Sequence, residues 1–347
     1  MKNKKRRILV ALGTIAALIA GIIYYYFFTS LTSGKDTHYI YIDEDDNIDS
    51  VYAQLQPVAT NKGMTGFRTL VRHSQYDEHI RTGRYAIKLG ESAFTTFRKL
   101  KNGIQEPVML VIPCVRTMDR LAGTISKKMM VDSLSLYRAL SSQNVCEKLG
   151  YDTTTIACMF IPNTYEVFWN MPIEKFLERM QKESKKFWTK ARTQKAKDMG
   201  LTHEEVITLA SIVDEETSND AEKPVIAGLY YNRLMLRNSE YPDGMPLQAD
   251  PTIKFALKRF ELKRIYTNML RTQSPYNTYL NAGLPPGPIR IPTIAGIDAV
   301  LNYDKHDYLY MCAKEDLSGT HNFAATYQEH LANAAKYAKA LNERGIK

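Results

Sequence analysis

A run of 21 residues without a charge, Ile8 to Phe28, constrains this chain more than any other feature. As an α-helix it would be about 32 Å long at 1.5 Å per residue, enough to cross a hydrocarbon core of about 30 Å. Five basic residues precede it: Lys2, Lys4, Lys5, Arg6 and Arg7. Tyr24, Tyr25 and Tyr26 lie near its far end, where an aromatic belt is favoured. The run is longer than the apolar region of a signal peptide, and its YYYFF ending is a poor cleavage site, so an uncleaved anchor is expected. Positive charge before the span predicts a cytoplasmic tail over 1–7, one membrane-spanning helix over 8–28, and a chain lying outside the inner membrane beyond about Ser30.

The basic cluster also accounts for much of the net charge. The chain has 347 residues and a formal charge of +9, from 46 basic and 37 acidic side chains. Without the five at the start, 41 basic residues exceed the 37 acidic ones by only four. A phosphate-backbone binder shows a basic face, so no nucleic-acid partner is expected. A composition of 44% apolar and 24% charged residues excludes wholesale disorder, and the length fits about two domains. Cys114, Cys146, Cys158 and Cys312 are far apart and form no CxxC pair. Four buried thiols are expected rather than a disulfide framework.

Beyond a polar linker over 29–37, alternating HYIYI and the turn DEDDN open a module expected over 38–113. Ile48–Leu55 and Gly66–His73 read as helices, Gly83–Leu89 as a strand, Ser92–Gly103 as a helix closed by glycine, and Pro107–Pro113 as a strand. This is a small α+β pattern. A second domain is expected over 114–347. Met118–Leu149 reads as one helical stretch, Met159–Asn170 as a turn and 173–199 as one helix with seven basic residues, read as a solvated face. Thr202 and Glu205 form a capping box that starts a helix carrying Val206, Leu209 and Val213. Asp250-Pro251 reads as an N-cap followed by the first helical position. Gly283–Pro292, GLPPGPIRIP, must be a rigid loop. Tyr308–Ala313 reads as a strand and Ala324–Asn342 as the last helix.

Several chemistries are poorly supported. The sequence has no G-x-S-x-G elbow, no G-x-x-x-x-G-K-[ST] loop, no G-x-G-x-x-G and no H-E-x-x-H. No metal site or cofactor is expected, and His330 reads as structural. What remains is the acidic triplet Asp214, Glu215 and Glu216 on an apolar helix. At 100° per residue Asp214 and Glu216 are about 200° apart, so they are no obvious catalytic pair. Glu216 falls on the side of Val206, Leu209 and Val213. An acid there is costly unless it is used or paired. Taken alone, the residues leave both readings open: a working acid, or a capping or salt-bridged one.

LASIVDEET (Leu209–Thr217) closely resembles the SI[VI]EKET segment of the endolytic murein transglycosylase (YceG-like) family. AGLYYNRL (Ala227–Leu234), GMPLQADPT (Gly244–Thr252), SPYNTYLNAGLPPGPI (Ser274–Ile289), GTHNF (Gly319–Phe323) and TYQEH (Thr326–His330) follow in the family's order. PNTYEV (Pro162–Val167) is similar to its P-D-T-Y segment, with Asn163 in place of Asp. Pro113-Cys114-Val115 stands where the family usually has Pro-Glu-Gly, and Ala157-Cys158 where it often has Glu-Gly.

The resemblance implies an α+β protein: an anchor, a LysM-like module and a mixed α/β catalytic domain in the bacterial inner membrane. It implies cleavage of the MurNAc–GlcNAc β-1,4 bond of peptidoglycan strands, with Glu216 as the single catalytic acid. Asp214 and Glu215 replace the preceding Glu and Lys; the extra charge at 215 would raise the acid's pKa or point to water. In the implied mechanism Glu216 protonates the leaving oxygen. It then takes the proton of the sugar's own C6 hydroxyl, which closes a 1,6-anhydro end without water or a second carboxylate. Such an acid needs a pKa near neutrality from an apolar pocket, for which Ile212, Val213 and Tyr230 are candidate walls.

Thr217, Gln248, Tyr276, Asn277 and Tyr279 suit orientation of the acid or contact with sugar, since aromatic faces stack on sugars and amides bond hydroxyls. Each also suits a loop-fixing role. Arg233 reads as structural, with Glu222 or Asp250 as partner. Contact with membrane-bound peptidoglycan synthases is a family implication. The alternatives are a catalytically idle glycan-binding scaffold of the cell envelope and a hydrolase that uses water.

Overall fold

The computed structural model describes residues 2–344 and combines fourteen α-helices with six short strands. Helix α1 (Lys2–Ile23) runs into a π-helical turn, Tyr24–Phe28. Together, Asn3–Phe28 is long and apolar enough to cross a membrane, and no other described helix is. The chain divides into two compact units. The first holds residues up to 110 with 127–131 and 165–171; the second holds the rest.

In the first unit, β1 (His38–Ile42) leads through α2 (Ile48–Leu55) and α3 (Asn61–Arg72) to β2 (Gly83–Ile87). The two strands pair antiparallel, His38 opposite Ile87 and Ile42 opposite Gly83. Alternation along β1 sends Ile40 and Ile42 into the core and Tyr39 and Tyr41 out. Val51, Leu55, Phe67, Tyr85 and Leu100 complete that core. Helix α4 (Ala93–Asn102) starts at a Ser92 cap and stops at Gly103, whose φ of 66° suits glycine. Helix α3 begins at Asn61 rather than Gly66 because the Thr60 hydroxyl accepts from Gly63 N at 3.1 Å. Strands β3 (Val108–Val111) and β4 (Thr164–Val167) form another two-stranded sheet, so the segment expected as a turn contributes a strand.

The helical stretch expected from Met118 to Leu149 comprises three helices: α5 (Met118–Ser126), α6 (Ser133–Leu140) and α7 (Gln143–Lys148). Asp132 ends the run by capping α6, accepting from Ser135 N at 2.9 Å. The basic helix is likewise two, α8 (Ile173–Phe187) and α9 (Lys190–Asp198), because the Thr189 hydroxyl caps the second. Its face is not wholly solvated: Arg192 pairs with Asp298 at 3.0 Å.

Helix α10 (His203–Glu216) is the axis of the second unit. Its capping box forms as expected, and Val206 to Asp214 are all buried. A helix apolar on every side must be surrounded. Here α11 (Lys223–Met235), α12 (Asp250–Ala256) and α13 (Ile294–Leu301) pack against it. Strands β5 (Tyr310–Ala313) and β6 (His321–Ala324) pair antiparallel, and α14 (Tyr327–Glu343), capped by Thr326, closes the unit. Residues 283–292 form an irregular loop, pinned where Ile289 N donates to Ser211 Oγ at 3.0 Å. All four cysteines are free thiols; Cys146 and Cys158 are buried, but Cys114 and Cys312 are only half-buried.

Candidate active site

The triplet at the end of α10 fans out to three environments. Asp214 enters the core, where Lys223 Nζ meets it at 2.7 Å and Thr293 N donates to it at 2.5 Å. Glu215 turns to two arginines: Arg116 binds it bidentately at 2.8 and 2.7 Å, and Arg290 donates at 3.1 Å. Its charge is therefore met by two cations, and it does not point to water. Glu216 points to a cavity of about 300 Å³ that it lines with Tyr230, Arg233, Gln248, Asp250 and Tyr279. That volume is at the lower end of small-ligand sites. No cation pairs with Glu216 among the described residues.

Tyr230, from α11, donates its hydroxyl to Glu216 Oε1 at 2.6 Å. Protein encloses the carboxyl, while the residue keeps an accessible edge toward the cavity. Burial raises the pKa of Glu216 to about 7. The Tyr230 hydrogen bond opposes that rise, the Asp250 charge adds to it, and His321 and Lys254 oppose it weakly. Burial wins because a carboxylate in a dry site loses more hydration than one hydroxyl returns. Tyr230 itself is pushed well above a normal phenol by burial and by Glu216, so it stays a donor.

Asp250 is the first residue of α12, not its cap; that position belongs to Ala249. Its carboxylate faces the same cavity and accepts from Tyr279 Oη at 2.6 Å. Arg233 is buried and donates to the carbonyls of Leu309 and Leu247 at 2.6 and 2.7 Å. Neither Glu222 nor Asp250 is its partner: Glu222 instead accepts from His321 N at 2.7 Å and faces His321 Nδ1 at 3.0 Å. Arg233 thus ties α11 to the stretch before β5 and to the Gln248 turn. Gln248 is left-handed, φ 53°, a strained state for a residue with a side chain. Its backbone N donates to Thr278 O and its Oε1 faces Arg233 Nη1 at 3.4 Å. Tyr310, Tyr327 and His330 form another wall.

The YceG-like family model matches residues 40–336. The chain belongs to that family. An endolytic murein transglycosylase of Bacillus subtilis is 34% identical over 172 residues, half of this YceG-like chain and 45% of that protein. One from Streptococcus pneumoniae is 26% identical over 332 residues, 86% of this chain and 58% of the relative. The chain thus spans about half the length of the curated relatives it matches. A crystal structure of a YceG-like protein from Listeria monocytogenes shares the fold, with a TM-score of 0.56, 23% identity, and coverage of 86% of this chain and 99% of that one.

In this YceG-like chain Glu216, Gln248 and Tyr279 share one cavity. The other expected residues lie elsewhere. Tyr276 packs on Phe255 at 4.8 Å and lines a different cavity, with Arg116 and Phe260. Asn277 is fully buried; its amide donates to Leu270 O and Thr272 O, and its Oδ1 accepts from Tyr279 N. That spends it on the loop that presents Tyr279. Thr217 ends α10, and its hydroxyl accepts from Asn219 N at 3.1 Å. Of the expected walls, Tyr230 is present, whereas Ile212 and Val213 lie in the core behind.

Three residues escape sequence reading. Asp250 has the form of a cap, and only its Tyr279 partner, 29 positions away, turns it to the cavity. His330 lies on the cavity wall, stacked on Tyr310, and its buried Nδ1 has no hydrogen-bond partner among the described residues. Its place within TYQEH was the available signal. Tyr310 lies inside YLYMCA, a segment that reads as a strand and is similar to a family segment, but nothing in it singles out this residue for the cavity.

Proposed function

We propose that this chain cleaves peptidoglycan strands endolytically at the MurNAc–GlcNAc β-1,4 bond, leaving 1,6-anhydroMurNAc ends. The observation that carries the reading is one carboxylic acid, Glu216, enclosed at a cavity with a pKa of about 7 and no ion-pair partner among the described residues. Half of such groups are protonated at neutral pH, as a general acid requires. Glu216 donates its proton to the leaving oxygen. As C1 gains positive charge, the Asp250 carboxylate, held by Tyr279, stabilises it. Glu216, ionised and held by Tyr230, then takes the proton of the C6 hydroxyl as that oxygen bonds to C1. Gln248 and Tyr279 contact sugar directly. Tyr276 contacts the strand farther along, and Asn277 and Thr217 fix the loop and the helix end.

The names of the bacterial relatives support the substrate class. The long apolar helix supports an anchor over 8–28 in the inner membrane, with 1–7 in the cytoplasm, 29–37 as linker and the rest outside. The strand–helix–helix–strand order supports a LysM-like module over 38–113, with the catalytic domain over 114–347. Membrane-bound peptidoglycan synthases, which make the strand, are the fitting partners.

A second reading has a specific basis: Asp250 is a second carboxylate at the cavity and could direct water instead of the C6 hydroxyl. The test is product analysis on uncrosslinked strands. The lytic reaction yields ends lighter by one water than those of a hydrolase, and Glu216→Gln abolishes them. Reducing ends would favour the hydrolase. Unchanged cleavage by Glu216→Gln would remove Glu216 from the chemistry.

A further inference from the structure

The long apolar helix does not lead into a free tether. Helix α1 passes straight into the π-helical turn Tyr24–Phe28, with Ile23 still helical at the junction. The Thr29 hydroxyl then donates to Tyr25 O at 2.5 Å and satisfies a carbonyl that the helix end frees. Residues 30–33, within the segment expected as a linker, are tied into the first unit. Leu31 is fully buried in its core. Leu31 N donates to Glu91 O at 2.8 Å, Leu31 O accepts from Thr60 N at 2.7 Å, and Ser33 N donates to Val58 O at 3.1 Å. A flexible chain of about nine residues would let the unit wander roughly 17 Å. Bonds on both sides of Leu31 remove that freedom.

Helix α3 holds the turn from the side. Gly63 and Gly66 lie three residues apart, on one face. A Cβ on Gly66 would collide with Tyr26 O, and one on Gly63 would meet Leu31 Cα and O at 2.8 Å. Glycine alone admits so close an approach. Phe94, from α4, meets the Phe28 ring at 5.3 Å, and Lys62 Nζ lies over the Tyr25 ring at 4.8 Å. Tyr24, Tyr25 and Phe28 stay exposed all the same, and Tyr24 stacks on Phe28 at 6.5 Å. Exposed rings that continue a spanning helix without a break belong at the boundary of lipid and water. Side chains of the first unit that touch those rings therefore lie at the same depth. Lys62 has no acidic partner among the described residues, so its charge is open to a lipid phosphate.

We propose that the first unit is seated on the membrane surface in one orientation: α3 and α4 clamp the turn at 24–28, and Lys62 and Phe94 contact phospholipid headgroups, Lys62 at an anionic phosphate. The inference rests on the anchor reading and not on the chemistry at Glu216. The face of β1 that carries Tyr39 and Tyr41 is turned away from the core, so it looks away from the bilayer.

The experiment places the full chain in vesicles of phosphatidylcholine and phosphatidylglycerol whose acyl chains carry bromine near the headgroups. Bromine quenches tryptophan within contact range. The wild type supplies the baseline from Trp169 and Trp188, and a further tryptophan is added by Phe94→Trp or, on the far face, by Tyr41→Trp. Fluorescence gained with Phe94→Trp should be quenched at least about twofold, and that gained with Tyr41→Trp little. Gly66→Leu, which forces α3 off the turn, should remove about half or more of the Phe94→Trp quenching. Lys62→Glu should lower it in vesicles with phosphatidylglycerol. Equal quenching of the two reporters, or none of Phe94→Trp in a chain that floats with the vesicles, overturns the fixed seat and leaves the anchor standing; this contrast does not depend on how Gly66→Leu folds. Quenching unchanged by both Gly66→Leu and Lys62→Glu overturns the clamp and the phosphate contact. A chain that fails to float with the vesicles refutes the anchor, and the seat with it.

Discussion

Glu216→Gln should stabilise the protein, and by more as pH rises. A glutamate in the unfolded chain ionises near 4.5, whereas in the folded protein Glu216 does so near 7. Below pH 4.5 both states hold the proton and nothing is lost. Between the two values folding must keep or take up a proton; above 7 both states are ionised and the full cost of burying the charge falls on the folded state. Stability from this group is therefore present at low pH and lost as pH rises through 7. Working the linkage from those two values, the wild type loses roughly 2–3 kcal/mol between pH 5 and pH 8 on this account. Glutamine has nearly the same shape, can accept from Tyr230, and does not titrate. In thermal unfolding of the full chain in detergent, the melting temperature of Glu216→Gln relative to wild type should rise by roughly 5–10 °C from pH 5 to pH 8 for a unit of this size. Other titrating groups cancel in the difference. A gain that does not vary with pH would mean that Glu216 is not held uncharged, and the general-acid argument would lose its basis.

The remaining predictions concern the neighbours. Tyr230→Phe removes a hydrogen bond to the ionised form, worth roughly 1.5–3 kcal/mol, so the alkaline limb of the cleavage rate should move up by about one pH unit or more; an unmoved limb would separate Tyr230 from the acid. Lys223→Met strands the buried Asp214 carboxylate and should cost about 3–5 kcal/mol in urea unfolding; a loss below about 1 kcal/mol would show that Asp214 is protonated or solvated instead. Asp250→Asn should slow cleavage at least about tenfold while the anhydro end persists, measured by mass spectrometry of the products; unimpaired cleavage would remove Asp250 from the site.

What could be read beforehand was mostly local. The apolar span, the Thr202–Glu205 box and the Gly283–Pro292 loop are each specified within a few residues. The splits at Asp132 and Thr189 were visible as capping residues, yet flanking helical composition masked them, because propensity sums over a window while a cap is one side chain. The site was legible only through motif order. Periodicity placed Glu216 on the inner side of α10, but nothing within reach along the chain identified Tyr230 as its partner or Arg116, 99 positions away, as the partner of Glu215. Tyr276 and Tyr279 sit three residues apart and each suits sugar contact or a loop-fixing role, yet the turn at Asn277 sends them to different cavities.

That separation of partners explains how an unusual triplet remains compatible with an acid. The family pattern E-K-E-T brings one positive charge next to the last glutamate, and this chain has D-E-E-T, with none. Three adjacent carboxylates would normally raise one another's pKa values and repel across the helix end. Here Asp214 is matched by Lys223, and Glu215 by Arg116 and Arg290. Arg116 and Arg290 share Glu215, Lys223 bridges Asp214 and Asp220 at 2.7 Å each, and 100° per residue turns both groups away from the Glu216 cavity. Glu216 is left with a phenol as its hydrogen-bond partner. Its perturbed acidity then comes first from burial, and the two acids that precede it are not among the largest influences on it. A lysine at 215 would have met Arg116 and Arg290 head-on. The two arginines thus give the carboxylate at 215 its partners from segments distant in the chain.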